Sequence, residues 1–317
     1  MPEHKAVIQM NSALASMTPN GPRAVRRRRA PASGESFTDG MPDGEVGERE
    51  FVWTPEDFER IRALIRARAG IALHSGKQAM AYSRVARRLR ETGHKSFHDY
   101  LNWLEQQEDG EEWQEFVNVL TTNLTAFFRE PHHFDLLASW LAQNPNGPWY
   151  MWSCAASTGE EPYSIVMTAL ETLGAQQASR FKLVASDIDS RVLARAAEGV
   201  FRADHLKGLS EERLHRFFLR GTGANAGLVR VRPALQQAVE FQQINLIEEN
   251  WPFSQPLDVV FCRNVMIYFD AATQRHVLER LHAVMRPGGL LFVGHAEHFS
   301  DARDLFVLRG KTVYERL

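Results

Sequence analysis

One stretch near the middle of the chain constrains the fold more than any other. Residues 149–154 (WYMWSC) are typical of a β-strand, small residues follow them, and Gly159 offers a tight turn. Pro162 suits the first turn of a helix, and Gly174 is placed to cap that helix after a run with helical apolar spacing. A strand, a small-residue turn and a helix in this order are typical of nucleotide-binding α/β folds, in which a ligand can approach the backbone of the turn.

Two acidic residues open this helix where such a fold would hold a pyrophosphate. Glu160 and Glu161 suit the positive end of the helix dipole, but they would repel phosphate. A nucleoside that carries positive charge and no phosphate fits better, and S-adenosylmethionine is such a molecule. The alternative is an ordinary strand-to-helix turn with a solvated acidic start, because small-residue turns are common. This stretch alone leaves both interpretations open.

Length and composition bound the class of protein. A chain of 317 residues can hold one large domain and a smaller one, and its net charge of −2 indicates no global preference for charged partners. No apolar run reaches the roughly 18 residues that span a membrane, and the amino terminus lacks the apolar segment of a signal peptide. We therefore expect a cytoplasmic protein. Cys154 and Cys262 lie in strand-like runs and predict reduced core thiols, with no disulfide framework or metal spacing.

The amino-terminal part divides into a tail and a helical segment. Residues 1–49 are rich in proline, glycine, serine and charge, and predict a disordered tail. The basic run Arg26–Arg29 could touch nucleic acid or an anionic surface, although such clusters are more often solvated. From Phe51 onward, a capping-box start and three segments with apolar periodicity predict a small helical bundle. With its linker, the predicted helical domain covers residues 50–120.

The helical segment is strongly basic. Residues 60–95 contain ten arginines and lysines against Glu91 alone, a net formal charge of +9. This charge would steer an acidic partner toward the domain, and both nucleic acid and an acidic protein surface would qualify. Few aromatic residues are interleaved, so stacking of single-stranded bases is not expected. An acidic connector is predicted to follow from Glu105 to Glu115.

A polar run beside two phenylalanines comes next, at residues 120–134 (LTTNLTAFFREPHHF). Threonine and asparagine side chains over an apolar floor can line a pocket, or they can simply cap a helix. His132 and His133 are adjacent and lack the helical spacing of metal ligands, so we expect them to be structural. His295 and His298 also lack partners that would mark a metal site.

The α/β alternation continues after the central motif. Residues 181–186 predict a buried strand that ends at Asp187, where such folds hold ribose hydroxyls. Residues 199–238 interrupt the alternation with a helix, a glycine-rich turn and an alternating strand at Leu228–Arg232 with arginines on one face. The edge of this strand could bind an extended peptide, or the insert could be decorative. Because the remaining strands alternate with helices, we predict a mainly parallel sheet with its ligand at the strands' carboxyl ends.

Four ordered motifs carry a resemblance to a known family: residues 120–130 (LTTNLTAFFRE), 157–164 (STGEEPYS), 185–189 (ASDID) and 261–269 (FCRNVMIYF). In this combination they closely resemble the CheR family, the methyltransferases that esterify glutamates on bacterial chemoreceptors. The resemblance runs from about Phe51 to the carboxyl terminus. It implies an α/β fold class: an all-α amino-terminal domain, then a Rossmann-like S-adenosylmethionine-dependent methyltransferase domain over residues 121–317. A small antiparallel β-subdomain would be inserted at about 199–238.

The resemblance also implies a cofactor site. S-adenosylmethionine would be the methyl donor and S-adenosylhomocysteine the product, and no metal is expected. Glu160 would take the cofactor's ammonium group, Asp187 the ribose hydroxyls, and the Asn245–Leu246 segment the adenine edge. The residues that would line this site are Asn123, Thr125, Arg129, Glu160, Asp187, Asn245, Leu246, Arg263 and Asn264.

The chemistry of the acceptor bears on the catalytic residues. A glutamate carboxylate is ionised at neutral pH, since its reference pKa is about 4.3, so it needs no general base to become a nucleophile. Catalysis would rest on aligning the attacking oxygen with the methyl carbon. We assign Arg129 and Tyr268 as the catalytic residues that orient the substrate carboxylate.

The resemblance further implies partners. The basic helical domain would meet the glutamate-rich methylation helices of chemoreceptors. The β-subdomain, with its Gly221–Gly223 loop, would grip a short peptide at a receptor's carboxyl terminus. We expect a monomer that neither binds nucleic acid nor inserts into a membrane.

Two rival functions stay open on the sequence. A nucleic-acid methyltransferase would use the +9 segment, but Arg263–Met266 replaces the Asn-Pro-Pro-Tyr type element of amino methylases. A non-catalytic module that docks on receptors and senses S-adenosylmethionine would not need intact pocket motifs. A third function, a dinucleotide oxidoreductase, fails on Glu160 and Glu161 at the phosphate position.

Overall fold

The computed structural model of this protein describes residues 49–317. The predictions of a disordered tail and of a basic cluster at Arg26–Arg29 lie outside these described residues. Within residues 49–317, every helix is too short or too polar to cross a membrane.

Four helices form the amino-terminal all-α domain. They are α1 (Pro55–Ala69), α2 (Gln78–Thr92), α3 (Phe97–Gln106) and α4 (Glu111–Leu120). Helix α1 begins in a capping box, in which the Asp57 N–H donates to Thr54 Oγ1 at 3.1 Å and the Thr54 N–H donates to Asp57 Oδ2 at 3.0 Å. It ends at Gly70, whose φ of +72° suits the left-handed conformation that glycine adopts without strain. The four helices pack around one apolar cluster.

The acidic connector predicted at Glu105–Glu115 is wrong over most of its length, since Glu105 and Gln106 belong to α3 and only residues 107–110 lie between helices. Residues from Glu111 onward form α4, because Trp113, Phe116 and Val117 recur at helical spacing and bury one face against the bundle. The acidic residues at Glu111 and Glu112 suit the positive end of this helix. A charge count conceals this amphipathic pattern.

A seven-stranded sheet forms the second part of the chain. The elements in order are α5 (His132–Gln143), β1 (Trp149–Ser153), α6 (Glu160–Leu173), β2 (Phe181–Asp187), α7 (Ser190–Glu198), β3 (Val200–Arg202), α8 (Glu211–Phe217), β4 (Phe218–Arg220), β5 (Leu228–Val231), α9 (Pro233–Gln236), β6 (Val239–Gln243), β7 (Leu257–Cys262), α10 (Ala271–Val284), β8 (Met285–Val293), β9 (Phe306–Gly310) and β10 (Val313–Arg316). The strand order is β6-β2-β1-β7-β8-β10-β9, parallel from β6 to β8 and antiparallel at β10 and β9. The prediction of a mainly parallel, Rossmann-like sheet is confirmed.

The insert is a small antiparallel sheet of three strands in the order β3-β5-β4. Within the insert, the sequence pattern predicts a helix at Ser210–Arg220 and a strand at Leu228–Arg232. The helix α8 instead ends at Phe217 and gives way to β4. Strand β3 is three residues long, too short for a period-2 pattern to reveal. The small antiparallel subdomain itself is confirmed.

Strand β7 shows how the sheet is held between its helices. All six of its residues are buried, because helices cover both faces of a parallel sheet. Val259 and Phe261 enter the cluster that contains α5 and α6, whereas Val260 and Cys262 enter the cluster that contains α10. Phe261 stacks on Phe292 of β8, with ring centroids 4.4 Å apart and planes 6° apart. A continuous apolar run is therefore divided between two cores by strand geometry.

Most of the basic residues between positions 60 and 95 are paired with carboxylates. The pairs are Arg60 with Glu105, Arg62 with Glu59, Arg66 with Asp270, Arg68 with Asp109, Arg87 and Arg88 with Glu91, and Arg90 with Glu50. Arg84 donates to the carbonyl of Val119 at 3.2 Å. The formal +9 therefore overstates the charge that this domain presents, since sequence distance hides the acidic partners.

We expect the Phe261→Ala substitution to lower the free energy of unfolding by about 3–5 kcal/mol, because it removes a fully buried ring and leaves a cavity beside Phe292 and Phe134 on one face of the sheet. The measurement is urea denaturation followed by circular dichroism. The control is Leu308→Ala on β9, where the side chain is 58% exposed and the change should stay within about 0.5 kcal/mol. Equal losses in the two variants would contradict this account of the core.

Candidate active site

The carboxyl ends of β1, β2, β6 and β7 face a cavity of about 400 Å3. This lies in the usual range of ligand pockets, roughly 300–1,000 Å3. Strands β2 and β6 lie on one side of β1, and β7 and β8 lie on the other, so the chain reverses direction across the sheet between β1 and β7. Loops diverge at such a reversal and leave a crevice, which is where open α/β sheets bind ligands.

The helical domain closes the other side of the cavity. Ile71 forms an antiparallel bridge with Phe269, and the Ala72 N–H donates to the carbonyl of Tyr268 at 2.7 Å. Asn245 Nδ2 donates to the carbonyl of Arg68 at 2.8 Å. The wall that this domain contributes consists of Ala69, Ile71, Ala72, Leu73, His74, Lys77, Met80 and Leu120. The sequence interpretation gave this domain a role in steering partners and missed its place in the cavity.

The turn after β1 is shaped by Gly159. Its φ is +100°, and a Cβ at this position would lie 3.0 Å from the Cβ of Ala196, so a side chain would be both strained and crowded. Ser157 also has a positive φ, of 49°. Its N–H donates to Asp187 Oδ2 at 2.8 Å, which joins the turn after β1 to the end of β2. The small residues that define the sequence motif thus bring the two strand ends together.

The two glutamates that open α6 have different surroundings. Glu161 lines the cavity; its Oε1 accepts from Ser153 Oγ at 2.8 Å and its Oε2 accepts from Arg263 Nη1 at 2.9 Å. Burial raises the pKa of Glu161, and Arg263 opposes that rise. Glu160 does not line the cavity, and its Oε2 accepts from Thr158 Oγ1 at 2.6 Å. The structure therefore separates a pair that the sequence treats as one acidic start.

Asp187 ends β2 on the cavity wall. Burial raises its pKa to about 6, although N–H groups of Asp189 and Ser157 donate to its carboxylate at 3.0 and 2.8 Å and oppose the rise. Such a carboxylate can accept hydrogen bonds from hydroxyl groups when it is ionised. Its position and chemistry match the acid that holds ribose hydroxyls in this class of fold.

Asp189 positions one wall of the cavity without lining it. Its Oδ2 accepts from Thr121 Oγ1 at 2.6 Å and from Asn123 Nδ2 at 2.8 Å, and both of those residues line the cavity. Its Oδ1 accepts from the N–H groups of Arg191 and Val192 and caps α7. Nothing in the sequence pattern indicates that this carboxylate reaches back to residue 121, 68 positions earlier.

Arg263 follows β7 and joins three segments at the cavity. One of its nitrogens donates to Glu161, and Nη2 donates to the carbonyl of Arg129 at 2.5 Å and lies 3.4 Å from Glu130 Oε2. The side chain is buried, so these protein partners compensate its charge. Arg129 is half-buried, lines the cavity and donates from Nη1 to the carbonyl of Leu124 at 2.8 Å.

The loop after β7 carries Asn264 and Tyr268 to the cavity. Asn264 has a φ of 57°, which is uncommon for a residue with a side chain. Glu297 accepts hydrogen bonds from N–H groups of this loop, and burial raises its pKa although those bonds oppose the rise. Sequence analysis missed Glu297, which lies 33 residues beyond Asn264 and in no recognised motif.

His133 and its neighbours form a small polar cluster at the start of α5. Burial lowers the pKa of His133 to about 3, and Nε2 lies 2.8 Å from Thr312 Oγ1. One potential ligand atom from each of Glu130, His132 and His133 lies within 4.8 Å of the others. Arg263 lies 3.4 Å from Glu130 Oε2 and would repel a cation there. In the sequence the two histidines stand only as an adjacent pair, and the fold brings Glu130 beside them.

Nine of the ten predicted site residues line this one cavity: Asn123, Thr125, Arg129, Asp187, Asn245, Leu246, Arg263, Asn264 and Tyr268. Glu160 is the exception, and its neighbour Glu161 takes the place on the wall. The residues that sequence analysis missed are Glu161, Asp189 and Glu297, together with the helical-domain wall. For Glu161 the signal was present, since it is adjacent to the predicted glutamate; the other contacts depend on tertiary structure.

Comparison with known proteins adds sequence evidence. The CheR methyltransferase SAM binding domain matches residues 123–314, and the CheR methyltransferase all-alpha domain matches residues 56–121. The chemotaxis protein methyltransferase of Escherichia coli K12 is 52% identical over 257 residues, which cover 81% of this chain and 89% of that protein. Chemotaxis protein methyltransferase 2 of Pseudomonas aeruginosa PAO1 is 50% identical over 276 residues, or 86% of this chain and 97% of that protein.

The similarity of this chain to solved structures is weaker than its sequence similarity to these relatives. Magnesium protoporphyrin IX methyltransferase from Synechocystis PCC 6803, solved with bound SAM, is 13% identical and gives a TM-score of 0.35 over 59% of this chain and 76% of that one. A likeness of this size adds nothing to the family matches.

Proposed function

The chain belongs to the CheR family of chemotaxis protein methyltransferases, and we propose that the cavity between its helical domain and its sheet is where a methyl group passes from S-adenosylmethionine to glutamate side chains of bacterial chemoreceptors. The products are glutamyl methyl esters, which serve sensory adaptation, and S-adenosylhomocysteine. The observation that carries the assignment of this cavity is that residues from four separate motifs surround it.

The residues present fit S-adenosylmethionine. This molecule carries ribose hydroxyls and positive charge but no phosphate, and the cavity wall holds the buried carboxylates of Asp187 and Glu161. Buried carboxylates attract cations and hydroxyl donors and repel phosphate. When bound, S-adenosylmethionine supplies a methyl group that its sulfonium charge activates.

We assign the parts of the wall as follows. Asp187 accepts the ribose hydroxyls, and the Asn245–Leu246 segment meets the adenine edge. For the ammonium group, the two glutamates that open α6 are the candidates. Glu161 lines the cavity but is engaged by Ser153 and Arg263, whereas Glu160 lies beside it with only Thr158 as a partner. The remaining polar residues of the cofactor wall are Asn123, Thr125, Arg129, Arg263 and Asn264.

The acceptor side of the cavity has a distinct chemistry. Leu124 is 80% exposed and Ile267 is 47% exposed, and both line the cavity beside the segments of Arg129 and Tyr268. Exposed apolar side chains of this size beside a charged group suit a protein surface that presents a carboxylate among apolar neighbours. We propose that Arg129 and Tyr268 orient that carboxylate, since a guanidinium and a phenol can both donate to it.

The acceptor carboxylate needs no general base. In agreement with this, the two acids that line the cavity are already engaged by hydrogen-bond donors. Glu161 is engaged by Ser153 and Arg263, and Asp187 by two backbone N–H groups. Their oxygens already accept these hydrogen bonds, and an ionised glutamate has no proton for a base to remove. The contribution of this chain is therefore to align the acceptor oxygen and to keep water out.

Partner contacts beyond the cavity belong to the same proposal. We propose that the helical domain meets methylation helices through the rim of the cavity, where Lys77 is exposed, more than through its paired arginines. A carboxyl-terminal receptor peptide would add to an edge of the β3-β5-β4 sheet.

The proposal also includes a domain boundary between residues 120 and 121 and a cytoplasmic location. The free buried thiols Cys154 and Cys262 suit a reducing compartment.

A nucleic-acid methyltransferase is the less favoured function. Binding to a phosphate backbone depends on free arginine and lysine side chains. In the described helical domain, arginines 60, 62, 66, 68, 87, 88 and 90 each have a carboxylate partner. This pairing leaves little unneutralised charge for such a ligand.

Incubating the protein with methyl-labelled S-adenosylmethionine and chemoreceptor cytoplasmic fragments should label the fragments, and mild base should release the label, because esters hydrolyse and methylated amines do not. The assay should be run with fragments that keep or lack their carboxyl-terminal tails, to test the peptide contact. A label on the fragments that resists mild base, or a label on added RNA or DNA, would contradict the proposal. Cofactor binding without any transfer would instead indicate a docking module.

Tyr268→Phe should lower turnover at saturating concentrations of both substrates by about tenfold, because one donor to the acceptor carboxylate is lost. Arg129→Ala should lower turnover further. It should also weaken cofactor binding, because we assign Arg129 both to the cofactor wall and to the acceptor carboxylate. Initial rates and calorimetric titration with S-adenosylhomocysteine separate the two effects. Tyr150→Phe, on β1 and outside the cavity, is the matched control. Wild-type turnover in both test variants would refute these roles.

The affinity for S-adenosylhomocysteine should be constant above about pH 7 and should fall as the pH drops through about 6, where Asp187 takes up a proton and stops accepting from ribose hydroxyls. Well below pH 6 the loss should approach about tenfold per pH unit. Isothermal titration calorimetry between pH 5 and 8 measures it. Asp187→Asn should bind more weakly and without this dependence, whereas the control His74→Gln should keep it. A dependence that survives Asp187→Asn would shift the assignment to Glu161.

A further inference from the structure

Glu297 lies beyond β8, outside the cavity, and its carboxylate accepts four backbone hydrogen bonds. The N–H groups of Met266 and Ile267 donate to Oε1 at 2.8 and 3.4 Å. The N–H groups of Asn264 and Gly294 donate to Oε2 at 2.8 and 2.5 Å. The residue is only 3% exposed. One side chain therefore satisfies three N–H donors of the loop after β7 and one N–H donor directly after β8.

The arrangement requires a carboxylate. Each oxygen meets two N–H donors, and both oxygens of an ionised carboxylate can accept two hydrogen bonds. An amide of the same shape would turn one of these oxygens into a donor, which would face two N–H groups whichever way the amide is flipped. Because the site is buried, water would not replace the lost acceptor, and each stranded donor would cost free energy.

The surrounding backbone leaves little room for another arrangement. A Cβ at Gly294 would lie 2.2 Å from Asn264 Nδ2 and 2.9 Å from Glu297 Oε2. Asn264 itself keeps a φ of 57°, a conformation that persists where neighbouring contacts impose it. The loop held in this way contributes Arg263, Asn264, Val265, Ile267, Tyr268 and Phe269 to the cavity.

We propose that Glu297 is a positioning residue for methyl transfer: it fixes the loop of residues 263–268 so that Asn264 on the cofactor side and Tyr268 on the acceptor side keep their places at the cavity. This inference rests on the proposed function. A small displacement of a loop that aligns reacting groups costs turnover even when the fold survives, because alignment is the main contribution of this chain.

The test compares Glu297→Gln with Asp258→Asn. Asp258 is 4% exposed and lies near the other end of β7, where it accepts from the Tyr150 N–H at 2.7 Å and pairs with Arg286 at 2.7 Å. Both substitutions replace a buried carboxylate by an isosteric amide, and both should lower the melting temperature. We expect turnover on receptor fragments to fall by about tenfold or more in Glu297→Gln and to stay within about twofold of wild type in Asp258→Asn.

Backbone hydrogen exchange gives a second readout that needs no reaction. In Glu297→Gln, the peptide that contains residues 264–267 should exchange about tenfold faster, and peptides from the distant strand β2 should exchange as in wild type. Glu297→Asp, which keeps both acceptors on a shorter side chain, should fall between wild type and Glu297→Gln in turnover and in exchange. If Glu297→Gln does not fold, Glu297→Asp takes its place with the same readouts.

Three outcomes would overturn the inference: wild-type turnover in Glu297→Gln, unchanged exchange in residues 264–267, or losses of turnover in the two amide variants that simply follow their melting temperatures. Failure of the proposed function gives a different result. In that case the wild-type protein transfers no methyl group to receptor fragments, while the exchange experiment still reports on the loop.

Discussion

The buried contact of Arg263 with Glu161 holds together the elements from which the cavity is built. It joins the end of β7 to the start of α6, and the same guanidinium reaches the carbonyl of Arg129. Withdrawing two charges from water is costly, and an apolar pair of equal volume could be as stable. The ion pair contributes directional hydrogen bonds. A planar guanidinium with fixed donors sets the relative positions of three segments, which apolar contact would not do.

Acidic side chains recur around the cavity for a related reason. Loops at the carboxyl ends of parallel strands leave backbone N–H groups without partners, and a buried N–H group needs an acceptor. Asp187, Asp189 and Glu297 supply these acceptors to the turn after β1, to the start of α7 and to the loop after β7. Of these three acids, Asp187 alone lines the cavity, so one carboxylate both orders a turn and faces the ligand, while Asp189 and Glu297 hold the walls from behind.

Much of the fold could be predicted from local pattern, and less of the site. Gly159, Gly174 and the capping box at Thr54 indicated element boundaries because their effects are local. The distinction between Glu160 and Glu161 could not be predicted, since adjacent positions at a helix start differ only in the direction in which the side chains point. The prediction of an acidic connector was wrong because a count of charges does not register the apolar face of α4.

By itself, the sequence determined the class of fold, the family and the residue types at the strand ends, because periodicity, turn residues and ordered motifs are properties of neighbours along the chain. Only the tertiary structure decided which of these residues meet. It paired Ile71 with Phe269 beside the cavity, placed carboxylates beside most of the helical domain's arginines, and gave Asp189 and Glu297 their distant partners. The physical reason is that hydrogen bonds and ion pairs between residues far apart in sequence leave no periodic trace. The strand, turn and helix at residues 149–173 therefore identify the site, and contacts from outside that motif complete it.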